Sequence, residues 1–190
     1  MKTIKLIWFR LMILMVSLGS TAMAQNVYIN EIMSSNVSTI QDEDGSFSDW
    51  VELYNPGASA ISLLDWGLTD SASNPYKWRF GDVSIQPGEF MMVWASSKNR
   101  PAVTNGNAIH TSWGISSGGE DIVLTRPDGS TASFLGATLI GEDRTAGRKP
   151  DGTGAMHFFD DPTPGAANTT VGIPADLPLP QFSVPSGVYT

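Results

Sequence analysis

Nineteen glycines and 12 prolines punctuate a chain of 190 residues, and that punctuation rules out long helical bundles and coiled coils. What it leaves are short apolar runs between turns. Val27 to Met33 (VYINEIM), Trp50 to Tyr54 (WVELY), Phe90 to Ala95 (FMMVWA) and Asp121 to Thr125 (DIVLT) read as strands. Thr131 to Phe134 pairs back on the last of these through Pro127-Asp128-Gly129, with glycine where a positive φ is needed. Asn55-Pro56-Gly57, Gln86-Pro87-Gly88 and Pro150-Asp151-Gly152 are further turns. No amphipathic helix longer than a turn or two is visible, so many short strands with regular turns predict an all-β sandwich. With 41% apolar residues, one ordinary domain can fill its core.

The first segment is an address. Lys2, Lys5 and Arg10 precede the apolar run Leu11 to Leu18, and Ala22-Met23-Ala24 supplies small residues for a signal-peptidase cut between Ala24 and Gln25. The run is too short for a transmembrane helix and lacks a stop-transfer flank. Residues 1–24 are therefore expected to be a cleavable signal peptide, and the mature chain to be secreted, periplasmic or at the cell surface. The whole chain carries a net charge of −8. Cleavage leaves 8 of the 11 Lys and Arg against 19 Asp and Glu, a net −11. Such an acidic balance argues against nucleic acid as a partner. Lack of cysteine excludes disulfides, thiolate metal sites, a cysteine nucleophile and a lipidated anchor. Residues 169–180 read as a Pro-rich linker, and QFSVPSGVYT (181–190) as the start of a further, truncated β module.

Four groups of residues carry possible chemistry. Gly114-Ile115-Ser116-Ser117-Gly118 matches the G-x-S-x-G nucleophile elbow, with His157 downstream and Asp128, Asp143 and Asp151 between. An elbow needs a strand before the serine and a helix after it. Here Gly119-Glu120 runs straight into DIVLT, so the stretch reads as a Ser/Gly loop. Asp42, Glu43, Asp44 and Asp49 surround Gly45 and concentrate hard oxygen ligands suited to Ca²⁺, though not at EF-hand spacing; the other reading is a solvated acidic loop. Glu31 and Glu52 lie inside strands. Strict alternation puts Glu31 on the buried face with Val27, Ile29 and Met33. Two such acids are glycosidase machinery or, more ordinarily, structural carboxylates paired with Arg79 or Arg148 or bonded to backbone. Trp50 and Tyr54 flank Glu52 on one face, opposite Val51 and Leu53, and the three make a candidate binding surface. Trp66, Trp78, Trp94 and Trp113 are either core or further stacking platforms. His110 and His157 lack metal-ligand spacing and read as loop or core histidines. The core is expected from Ile29, Val51, Leu53, Trp66, Val93, Trp94, Ile122 and Leu124.

Taken in order, these pieces resemble a lamin tail domain of the bacterial, secreted kind. The resemblance runs through INEIMSSN (Ile29 to Asn36), DEDG (Asp42 to Gly45), DWVELYNPG (Asp49 to Gly57) and LTDSASNPYKWRF (Leu68 to Phe80). It continues in PGEFMMVWAS (Pro87 to Ser96), HTSWGISSGGEDIVLTRPDG (His110 to Gly129), GRKPDGTG (Gly147 to Gly154) and DPTPGAAN (Asp160 to Asn168), covering about residues 26–168. It implies an immunoglobulin-like β-sandwich and no catalytic residues. QFSVPSGVYT resembles the first strand of a chitobiase C-terminal-like module. The expected function is a non-catalytic exported binding, adhesion or spacer module of a bacterial multidomain protein, with a protein or glycan partner at the cell exterior. The alternative is an accessory domain of a secreted enzyme, carbohydrate-active or a kinase resembling spore-coat protein H, whose catalytic domain lies beyond residue 190. No cofactor is expected other than Ca²⁺ at the acidic loop.

Overall fold

A computed structural model describes residues 26–104, 106–136 and 139–176. The signal peptide and cut site, and the stretch 177–190, lie outside the described residues. Thirteen strands and no helix occur among those described. Five strands have side chains that alternate or run apolar: β1 (Tyr28–Met33), β2 (Asp49–Tyr54), β7 (Phe90–Ala95), β9 (Ile122–Thr125) and β10 (Thr131–Leu135). Between them lie β3 (Ile61–Ser62), β4 (Gly67–Thr69), β5 (Trp78–Arg79), β6 (Ser84–Ile85) and β8 (Ile109–His110). The last three are β11 (Thr145–Lys149), β12 (Ala155–Phe159) and β13 (Gly172–Pro174).

Seven strands form the larger sheet, in the order β13-β12-β11-β1-β2-β7-β8. All its pairings are antiparallel except β7 with β8. A four-stranded sheet, β10-β9-β4-β5, and the small pair β3-β6 lie on its inner side, and one apolar core fills the space between. Ile29, Ile32, Val51, Leu53, Val93 and Ala146 enter that core from the large sheet. Leu68, Trp78, Phe80, Ile85, Ile122 and Leu124 meet them. The expected β9-β10 hairpin forms, with Gly129 at φ 89° in its turn.

Three expectations change. Residues 169–180 were expected as linker, yet Gly172–Pro174 pairs with β12 and extends the large sheet. Trp94 was expected between the sheets, but its neighbours Val93 and Ala95 point inward and Trp94 packs on the outer face with Met33 and Trp50. Glu31 does not share a face with Ile29: the register shifts between them, Ile29 facing Leu53 and Glu31 facing Glu52, so Asn30 is an extra residue. That bulge turns both Asn30 and Glu31 outward and lets Ile32 rejoin the core.

Candidate functional site

In many sandwiches the outer face of a sheet is wet and polar. Here cross-strand rows on the outer face of the large sheet run Met33–Trp50–Trp94 and Glu31–Glu52–Met92, and Tyr28–Tyr54–Phe90. Most of it is dry, because irregular chain lies across it in two places: the acidic loop that follows β1, and the second segment, made of the loops on either side of β12, residues 150–154 and 160–170.

The second segment seals the two glutamates. Both are fully buried. Thr145 donates its hydroxyl to Glu31 Oε1, and Thr163 Oγ1 donates to Oε2 at 3.0 Å. Asn30 Nδ2 donates to Glu52 Oε1 at 3.0 Å and to Asp151 Oδ1 at 3.0 Å, while the Gly165 N–H reaches Glu52 Oε2 at 2.7 Å. Asn168 bonds the Asn30 and Arg148 carbonyls through its side chain, and Asp151 through its N–H. Gly147 stands where a Cβ would meet Asn168 Nδ2 at 2.8 Å and the Asn30 carbonyl at 2.9 Å, so only glycine allows this segment to close.

Among the described residues no cation pairs with either glutamate. Arg148 spends its guanidinium on the carbonyls of Ile29, Gly154 and Phe134, and Arg79 bonds the Asp65 carbonyl, so neither ion pair forms; the other expectation holds, with the Thr163 N–H bonded to Glu31 and the Gly165 N–H to Glu52. Burial is the main cause that pushes the Glu52 carboxyl up, to about 8, and the charges of Glu31 and Asp151 add to it. Burial raises Glu31 as well, against hydrogen bonds from Thr145 and Thr163. A glycosidase needs its acids in an open cleft on either side of a sugar. These two are closed off, and they tie the overlying segment to the sheet.

The acidic loop is likewise consumed internally. Asp42 accepts from the Asp44 and Ser46 N–H groups at 3.0 Å, from Ser48 Oγ at 2.8 Å and from Lys98 Nζ at 2.6 Å. Burial alone would raise its carboxyl; those donors, Lys98 foremost, outweigh it and hold the group down at about 2. Asp44 pairs with Lys98 and Arg100, both at 2.8 Å, and Glu43 with Arg100 at 2.6 Å. Asp49 faces away, accepting from the Asn36 N–H, and burial raises its carboxyl. The four acids therefore do not converge as Ca²⁺ ligands. Among the described residues no group of three or more His, Asp or Glu is placed to hold a metal ion. The loop covers an outer apolar cluster of Met33, Trp50 and Trp94, edged by Ile40, Met92 and Ala108.

The expected binding surface is thereby corrected. Trp50 and Glu52 are wholly buried under these covers; Tyr54 is half-buried and stacked on Phe90, ring centres 4.3 Å apart. Trp66, Trp78, Trp94 and Trp113 are buried too. Ser116 lies in an exposed loop, and His157 turns its Nδ1 to the Ala155 carbonyl. The histidine that does meet a serine and an acid is His110, with Ser96 and Glu43. Reading the sequence missed that trio: Glu43 and His110 stand 67 positions apart, and no local spacing marks them. An open groove of about 200 Å³ lies elsewhere, lined by Leu139, Ile140, Gly141, Arg144, Phe158 and Ile173.

No curated protein matches the chain. The sequence model of the Lamin Tail Domain family matches residues 20–138, which span every strand from β1 to β10. The stretch 181–190 lies outside that match, so its likeness to a chitobiase-type module gains nothing from it. The matched span and the all-β sandwich agree: this chain belongs to the Lamin Tail Domain family, an immunoglobulin-like domain in a binding or structural role.

Proposed function

We propose that the chain is an exported, non-catalytic module of a bacterial surface or secreted protein, and that its work is to space and hold neighbouring parts rather than to grip a sugar. One observation carries this reading. All five tryptophans beyond the leader are at most 6% exposed, so none offers a ring on which a glycan stacks. The acids agree with it, since Glu31 and Glu52 serve to fasten a covering segment and Asp42, Glu43 and Asp44 serve to fasten a loop.

The test is expression of the full chain in a bacterial host, with N-terminal sequencing of the exported product, a glycan array and a set of chromogenic glycosides. The expected product begins at Gln25, binds no glycan and turns over no glycoside. Retention in the cytoplasm with residues 1–24 intact overturns export. Saturable binding of one glycan class overturns the spacer reading in favour of adhesion. Glycoside turnover that disappears in Glu52→Gln overturns the non-catalytic reading.

A further inference from the structure

His110 is wholly buried below the acidic loop, and each of its ring nitrogens has a partner. Nε2 lies 3.0 Å from both carboxylate oxygens of Glu43, and Nδ1 lies 2.7 Å from Ser96 Oγ. A neutral ring that donates its Nε2 proton to Glu43 leaves the Nδ1 lone pair to accept from the Ser96 hydroxyl. Carboxylate, imidazole and hydroxyl in series is the arrangement that makes a serine nucleophilic. We infer that Ser96 is an activated serine that accepts an acyl group from an activated ester, a covalent modification site in a domain whose fold is otherwise structural.

The surroundings support that role. Glu43 is itself held, by Arg100 at 2.6 Å and the Ala108 N–H at 3.0 Å, so its carboxylate keeps a fixed aim at the ring. The imidazole lies on Trp94, ring centres 6.4 Å apart and 23° from parallel, which fixes its plane. Ser96 follows the last residue of β7 and is half-buried, unlike the histidine behind it. Its bridge partner across the strand is Gly114, so no side chain on that neighbour walls it off. Ser97, next along, sits at φ 65°, a conformation that non-glycine residues adopt only where the surrounding structure imposes it. Ser96 therefore occupies a sharp strand end with its base behind it.

The step balances without any further reactant. Ser96 Oγ attacks the carbonyl carbon and a new C–O bond forms as its proton passes to His110 Nδ1. The ester's bond to its leaving oxygen then breaks, and the proton leaves with the alcohol. The product is an acyl ester on Ser96 and a neutral, Glu43-bonded imidazole.

The probe is p-nitrophenyl acetate on the full exported chain, read by p-nitrophenolate release, intact mass and peptide mapping. The expected result is a burst of about one equivalent and one acetyl group on Ser96. Its rate should exceed that of the exposed Ser97 and Ser116 in the same molecule by about 100-fold, the contribution of a positioned base. Glu43→Gln and His110→Gln should slow the burst by about 10-fold and about 100-fold, and Ser96→Ala should abolish it. Acetyl groups on lysines or exposed serines with none on Ser96 overturn the inference, and that map needs no variant to fold. An adduct on Ser96 whose rate ignores both substitutions, in variants with unchanged tryptophan emission, overturns it equally.

Discussion

Glu52→Gln is the perturbation that most directly tests the buried acid pair. In the folded chain the Glu52 carboxyl is pushed up to about 8 from an ordinary 4.5, because it is desolvated and lies beside the charges of Glu31 and Asp151. A proton held more tightly in the folded state stabilises that state fully below the unfolded value. The contribution then fades as pH rises from about 4.5 through about 8. At 1.36 kcal/mol per pH decade this gap is worth on the order of 5 kcal/mol at its limit. Local opening of the covering loop at residues 160–170 would let water reach the carboxylate, so roughly 2–4 kcal/mol is the loss expected in practice. Glutamine cannot ionise and escapes that loss. Its amide has one acceptor oxygen where the carboxyl offers two, to Asn30 Nδ2 and the Gly165 N–H, and one unmet donor costs about 1–2 kcal/mol. The variant should therefore be the less stable protein at pH 5 and the more stable one at pH 9. Urea unfolding followed by the emission of the buried tryptophans, at pH 5, 7 and 9, measures the crossing. Asp49 titrates in both proteins and cancels, while Glu31 is coupled to Glu52 through their charges, so the difference reports the buried pair. A difference in midpoint that is the same at all three pH values would refute the reasoning, since it would mean that Glu52 is ionised in the native state throughout.

Three further outcomes follow from the covered face. Trp94→Ala should cost about 3–5 kcal/mol in urea, the range for a truncated core aromatic, although the cluster it leaves is the outer one of Met33 and Trp50. A midpoint near that of the unsubstituted protein would show that the loop does not hold the cluster dry. Asp42→Asn should cost about 1–3 kcal/mol at pH 7 through its charged hydrogen bonds to Lys98 and Ser48. Because the native carboxyl is held at about 2, the Asp42 contribution is present above about 3.8 and fades toward pH 2. Acid titration of the variant should lack that portion of the stability loss, and equal acid slopes would count against the assignment. Gly147→Ala should cost about 1–3 kcal/mol by forcing a methyl group against Asn168 and the Asn30 carbonyl. A crystal structure of that variant with the loop at residues 160–170 undisturbed would refute the close-packing account.

The parts of the fold that were legible in the sequence are those whose burial pattern is local. β1, β2 and β7 show a side-chain period, β9 is a short apolar run, and the β9-β10 turn carries its own glycine. β3 to β6 and β8 are two or three residues long and leave no period to read. β11 reads Thr-Ala-Gly-Arg-Lys, which no propensity favours. It becomes a strand because Ala146 reaches the core while Gly147 makes room for Asn168. The acids were visible as acids, but their partners were not. Lys98 stands 56 positions from Asp42, and Thr163 stands 132 from Glu31, so whether a carboxylate faced a cation, a hydroxyl or water was decided entirely by the chain's return path.

One signal for the covered face was nevertheless local. In β2 the inward residues are Val51 and Leu53, and the outward ones include Trp50; in β7 Val93 points inward and Trp94 outward. A strand that is apolar on both faces is one whose two faces are both packed. A sheet with a wet outer surface would place Lys, Thr or Glu opposite its core residues, and the only such residue at the centre of β2 is Glu52. Tryptophan on the second face is thus a statement that something else lies over it, and the loop rich in Asp and Glu between β1 and β2 is the nearest segment able to reach. Its charges follow from that duty. A loop folded over indole rings by hydrophobic contact alone would slide, whereas Asp42, Glu43 and Asp44 each engage Lys98, Arg100 or His110, in the connection after β7 and on β8, which fixes the loop in one position. The same contact that immobilises the cover places a carboxylate behind His110, so the reactivity assigned to Ser96 rests on the fastening of the loop.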